Sequence, residues 1–209
     1  MKVNKIKYEV FNWGPLLWKT KISPKDIKKL KELGNNGTKY NKYLAGVINK
    51  EYEVDFKSFN KIILPYLQAY SGAFEKWYDA KIKNIYTTSV WVNYMKKGEF
   101  NPPHIHTGCK LSSVLFLDIP KELIKEKDSF VGEGIGPGAI HFYIGNPQDL
   151  ARNAFELMPE TGDFFIFPWN LMHCVSSFTS DITRISMAAN FSFDLFEENV
   201  AKIRQKNDK

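Results

Sequence analysis

Apolar residues recur at helical spacing twice in the first eighty residues and then give way to short, dense apolar runs. Behind the Ser23-Pro24 pair, Ile27, Leu30 and Leu33 keep a 3.6-residue period until the sequence GNNG at 34–37 breaks it. Ser23 suits an N-cap and Pro24 the first helical position, so a helix is predicted from Ser23 to the break. A second period, through Phe59, Ile62, Ile63, Tyr66, Leu67, Tyr70, Phe74 and Trp77, predicts a helix over 56–79 in which Pro65 can introduce a kink. The alternation in KYEVFNW at 7–13 predicts one short strand ahead of them.

The texture then changes to β-rich runs divided by Gly, Pro and Asn. Strands are predicted near 87–95, 111–118, 139–144, 163–168 and 184–193, with others between. Many short strands with turn signals suggest a sandwich or barrel, with the helices packed on one face. The glycine-rich GEGIGPG at 132–138 reads as a loop, because a strand follows it and not the helix that a phosphate cradle requires. One domain over 1–209 is expected: a mainly helical part at 1–82, a β core at 83–194, and a short charged helix or tail at 195–209.

With 209 residues, 44% of them hydrophobic and 15% aromatic, the chain can bury a substantial core. No apolar run approaches the roughly 20 residues needed to span a bilayer, and the first residues alternate charge with hydrophobe. A soluble, cytoplasmic protein is expected. In that reducing setting Cys109 and Cys174 read as small buried fillers. The net charge of +6 comes mainly from lysines strewn along helices and loops, with no aromatic-plus-basic motif, which argues against nucleic acid as a partner. Arginine occurs only at 152, 184 and 204, so where one falls carries weight.

Candidate chemistry begins at EFNPPHIH. Residues before proline are pushed to extended geometry, and side chains at i and i+2 of an extended segment point the same way. His104 and His106 can therefore converge on one point, as a metal requires. His173 follows the strand-like GDFFIFP, and Arg184 and Ser186 share a face of the next strand. The fourth histidine, His141, lies on a probable strand outside these segments and reads as structural.

Taken together, SVWVNYMKKGEFNPPHIH, KLSSVLFL, GDFFIFPWNLMH and TRISMAANF resemble the iron(II) and 2-oxoglutarate-dependent oxygenases, most closely a branch common in marine bacteria and their phages. YLAGVINKEY resembles an upstream segment of that branch, so the likeness covers nearly the whole chain. It implies a mainly β fold with α: a double-stranded β-helix (jelly-roll, cupin-like) core with N-terminal helices on one face. Carried over by motif position, the iron(II) ligands are His104, His106 and His173, with no catalytic residue beyond them. Arg184 would pair with the distal carboxylate of 2-oxoglutarate, helped by Ser186 and by either Asn93 or Tyr94, whichever faces inward. Trp91, Phe100 and Trp169 are candidates for the substrate pocket. Two departures stand out: His106 replaces the usual carboxylate, and Ser112-Ser113 replaces a Ser-Gly pair.

The resemblance implies an enzyme that couples oxidative decarboxylation of 2-oxoglutarate by dioxygen to hydroxylation of a substrate the sequence does not name. Three imidazoles also suit Ni, Cu or Zn. A three-histidine cupin-like metalloenzyme without 2-oxoglutarate, and a non-catalytic β-sandwich binding or virion-associated module, are the alternatives. Oligomeric state is left open.

Overall fold

The computed structural model describes residues 14–40, 44–146 and 152–199. The strand expected at 7–13 and the end of the C-terminal tail lie outside these. Helix α1 (Pro24–Gly34) begins where Ser23 Oγ accepts from the Asp26 amide, with Pro24 leading it. Helix α2 (Phe56–Tyr78) is capped by Asp55, whose carboxylate accepts from the Lys57 and Ser58 amides, and Pro65 does not end it. It buries Phe59, Ile63, Leu67, Tyr70 and Phe74, the face that the period predicts, and stops where Asp79 takes a left-handed conformation (φ 54°).

Three short strands break the helical first part: β1 (Trp18–Lys21), β2 (Thr38–Lys39) and β3 (Glu51–Glu53). Too short to show a period, they gain stability by pairing into a larger sheet, with β1 and β2 at its two edges. Then come β4 (Ile82–Lys96), β5 (Asn101–His104), β6 (Leu111–Asp118), α3 (Lys121–Asp128), β7 (Ile140–Tyr143), β8 (Ala154–Leu157), β9 (Asp163–Pro168), β10 (Met172–Val175) and β11 (Thr183–Leu195). The glycine-rich segment is the loop between α3 and β7.

Two antiparallel sheets result. The large one runs β1-β9-β6-β11-β4-β3-β2 and the small one β5-β10-β7-β8. From β4 to β11 the chain crosses between the sheets at every step except β7 to β8, which makes the body a double-stranded β-helix. The β4–β11 pair is its spine, paired from Lys96 opposite Thr183 to Ile82 opposite Leu195, with register shifts after Asn190 and after Asp194. Both faces of the large sheet are covered. Val90, Val92, Phe164, Ile166 and Met187 pack against α1 and α2, while Met95, Phe116, Phe165 and Phe167 meet Ile140, Phe142 and Val175 of the small sheet. That double coverage explains why DFFIFP is nearly continuous hydrophobe, with Asp163 through Phe167 all buried. Among the described residues no helix is long and apolar enough to cross a membrane.

Candidate metal centre and cosubstrate cavity

His104 ends β5 and His173 lies directly across from it on β10. His106 follows in the loop, whose course is fixed by the His106 amide donating to Trp169 O (2.9 Å) and the Trp169 amide donating to Lys110 O (3.2 Å). One ring nitrogen from each histidine lies within 4.8 Å of the others, with His106 Nε2 3.3 Å from His173 Nε2. This is the one such ligand cluster among the described residues. Imidazoles at adjacent corners of a metal about 2.1 Å away would be about 3 Å apart, so the spacing fits a facial site.

The hydrogen bonds behind the rings point the same way. Nδ1 of His104 is 2.7 Å from Pro102 O, and Nδ1 of His173 is 2.9 Å from Leu171 O. A carbonyl only accepts, so both Nδ1 atoms carry the proton, and both Nε2 lone pairs face the centre. Burial holds all three rings neutral. It lowers the His104 pKa, pulls His106 down to about 4 with help from the charge of His104, and pulls His173 down to about 3, again with His104. Neutral imidazole is the metal-binding form.

One face of the spine supplies the cavity behind the centre. Arg184, Ser186 and Ala188 alternate inward on β11, and Asn93 and Trp91 face them as register partners of Ser186 and Ala188 on β4. Arg184 is fully buried. Its Nη1 donates to Gly138 O (3.2 Å) and its guanidinium lies 5.3 Å from the Phe116 ring, but Nε and Nη2 have no partner. Burial lowers its pKa to about 10, which still leaves it charged. Asn93 Oδ1 is likewise buried without a partner. A buried cation with two idle donors is costly unless an anion joins it, and a guanidinium fork matches a carboxylate.

Register puts Asn93, and not Tyr94, on the cavity face of β4. Tyr94 lies on the opposite face of β4, toward the helices, where its hydroxyl donates to Asn35 Oδ1 (2.8 Å). It is not brought to the cavity. Trp91 is, with its ring 5.8 Å from that of His106. Phe100 and Trp169 are not among the residues that line either cavity beside the histidines, and Trp169 acts there through its backbone. His141 points outward from the small sheet, away from the centre, with Nε2 2.7 Å from Ser176 Oγ.

An outer cavity of about 280 Å³ opens beside His104 and His106, walled by Tyr40, Glu51, Ser89, Asn101 and Asn190. Glu51 is buried, and desolvation together with the charge of Glu99 pushes its carboxyl up to about 7. Sequence reasoning missed these residues. Asn101 was within reach, since it precedes the proline pair on the same extended segment as His104. Glu51 was not, because it enters from a strand of only three residues, too short to carry a period.

A double-stranded β-helix with three converging imidazoles and a buried arginine behind them defines a non-haem metal-dependent oxygenase. Residues 89–190 match the family model described as "Putative 2OG-Fe(II) oxygenase", a range that holds the three histidines, Arg184 and the part of the β4–β11 pair beside them. Over that segment the chain is similar to the iron(II) and 2-oxoglutarate-dependent oxygenases. No curated protein matches it in sequence.

Solved structures share the fold at low identity. A prolyl-4-hydroxylase from Pseudomonas putida superposes with a TM-score of 0.52 at 11% identity, covering 84% of this chain and 91% of that one. The viral collagen prolyl hydroxylase of Paramecium Bursaria Chlorella virus-1, solved with 2-oxoglutarate, gives 0.51 at 13%, covering 84% and 94%. A 2OG-Fe(II) oxygenase family oxidoreductase from Burkholderia pseudomallei gives 0.51 at 14%, covering 81% and 78%.

Proposed function

We propose that His104, His106 and His173 hold iron(II), that Arg184, Ser186 and Asn93 seat 2-oxoglutarate, and that the outer cavity receives the substrate. Bound together, iron, 2-oxoglutarate and dioxygen supply oxidative decarboxylation of the keto acid to succinate and carbon dioxide, coupled to hydroxylation. The rest falls to this chain's own residues. The carbonyls of Pro102 and Leu171 fix the imidazole tautomers, and Arg184 orients the cosubstrate by a forked contact with its distal carboxylate. Trp91 and the apolar residues between the sheets exclude water from the reacting end. A reducing cytoplasm, which keeps iron ferrous and cysteines free, suits this assignment.

The observation that carries the reading is the buried Arg184 fork, with two unpartnered nitrogens, in a cavity that also contains the three histidines. A second reading, a three-histidine centre working without 2-oxoglutarate, is favoured by His106 standing where a carboxylate is usual. Anaerobic titration of 2-oxoglutarate into the iron-loaded protein separates them. Metal-to-ligand charge-transfer absorbance on addition supports the first, and iron binding without it moves the assignment to the second.

A further inference from the structure

On the far side of the small sheet, outside the oxygenase centre, a different set of side chains converges. Ser176 Oγ lies 2.7 Å from Nε2 of His141, and Nδ1 of the same ring lies 3.2 Å from Oε1 of Glu156. Strand pairing fixes the arrangement. His141 on β7 is the register partner of both Glu156 on β8 and Cys174 on β10, and Ser176 is anchored just past β10 by its amide donating to Ala139 O (3.0 Å). The His141–Glu156 contact is within ion-pair reach but off the linear hydrogen-bond geometry. Glu156 is 31% exposed and has room to turn.

These residues open into a cavity of about 400 Å³ whose other wall is the glycine-rich loop. Gly134, at φ +96°, brings the loop against Glu156, whose Oε2 would be 3.4 Å from a Cβ placed there. His141 and residues 133–137 of that loop, which the oxygenase reading does not use, thus form one site.

We propose that Ser176, His141 and Glu156 form an acyl-transfer site, independent of the metal centre, for uncharged or cationic carboxylic esters. The charge preference follows from the walls, which carry Glu126, Glu133 and Glu156 and no lysine or arginine among the described residues. His141 takes the Ser176 proton on Nε2 as Oγ bonds to the carbonyl carbon, and Glu156 stabilises the imidazolium. The ester C–O bond breaks as the leaving alcohol takes that proton. Water, deprotonated by the same nitrogen, then cleaves the acyl-serine to the acid.

The test uses the metal-free protein and an uncharged alkyl fluorophosphonate, in which an Oγ–P bond forms and fluoride leaves. Peptide mass spectrometry is expected to place the adduct on Ser176, with p-nitrophenyl acetate hydrolysis abolished in Ser176→Ala. General-base assistance contributes roughly 10²–10⁴-fold, so His141→Asn should label at least about a hundredfold more slowly. Glu156→Gln should fall between. No adduct on Ser176 of the wild type overturns the proposal whatever the variants do, and so does an unchanged labelling rate in His141→Asn.

Discussion

His104 and His173 are cross-strand partners, and each anchors its Nδ1–H on the carbonyl two residues before it, Pro102 and Leu171. One local device, used twice on paired strands, turns two Nε2 lone pairs toward one point. The third imidazole comes from the loop that Trp169 O holds.

Removing any one ligand should cost more than the loss of its supporting hydrogen bond, which by itself is worth roughly 10–100-fold in metal affinity. His104→Ala, His106→Ala and His173→Ala should each weaken iron(II) or manganese(II) binding beyond that range by calorimetry. Wild-type affinity in any of the three removes that residue from the ligand set.

Arg184→Ala should weaken 2-oxoglutarate binding by roughly tenfold to over a hundredfold and leave metal affinity unchanged, since a hydrogen bond to a charged group contributes about 1.5–3 kcal/mol. Arg184→Lys should recover only part, lacking the fork. The anaerobic titration measures both, and equal cosubstrate affinity in Arg184→Ala excludes the assignment.

Arg184→Met should raise the melting temperature of the metal-free, cosubstrate-free protein, because it removes a buried charge with two idle donors. Replacing buried charge by packed hydrophobe is neutral or stabilising by about 1–4 kcal/mol. Clear destabilisation would mean that the guanidinium is satisfied without a ligand.

The register of β4 makes a paired prediction. Asn93→Ala should reduce 2-oxoglutarate affinity, while Tyr94→Phe should leave it unchanged and cost only the Asn35 hydrogen bond. The reverse pattern in cosubstrate titrations would mean that the face of β4 is assigned the wrong way round.

Acid should weaken the metal-free fold. Unfolded histidines titrate near 6.5, so as pH falls toward about 4 the unfolded chain takes up protons that folded His106, held at about 4, and His173, held at about 3, refuse. Each contributes a slope of up to about 1.4 kcal/mol per pH unit. Glu51, held up at about 7, acts in the opposite sense and offsets part of it. Urea midpoints at pH 7 and 5 should show the loss, and His173→Gln should flatten it.

Both long helices and the spine were legible because their periods run over many residues, as in Phe59 to Phe74. Strands β1 to β3 were not, since two to four residues carry no period and their pairing partners lie far along the chain. At the centre, the i, i+2 spacing of His104 and His106 gave the convergence, and the alternation from Arg184 to Ser186 gave the arginine face. Tyr94 was ambiguous because a one-residue change of phase reverses a strand's faces and nothing local fixes the phase. Phe100 and Trp169 looked like pocket aromatics only by proximity in sequence. Their side chains stay more than a third exposed.

Strand β11, the last of the described strands in chain order, lies between β6 and β4 in the large sheet. Until it arrives nothing joins the β4-β3-β2 part of the sheet to the β6-β9-β1 part, and neither Arg184 nor the face opposite Asn93 exists. A growing chain that stops short of it carries His104, His106 and His173 with no completed sheet behind them. Sheets closed by such distant partners fold slowly and leave edges exposed while they wait. The pocket that holds Arg184 opposite the Asn93 face is therefore completed only by the pairing of the last strand.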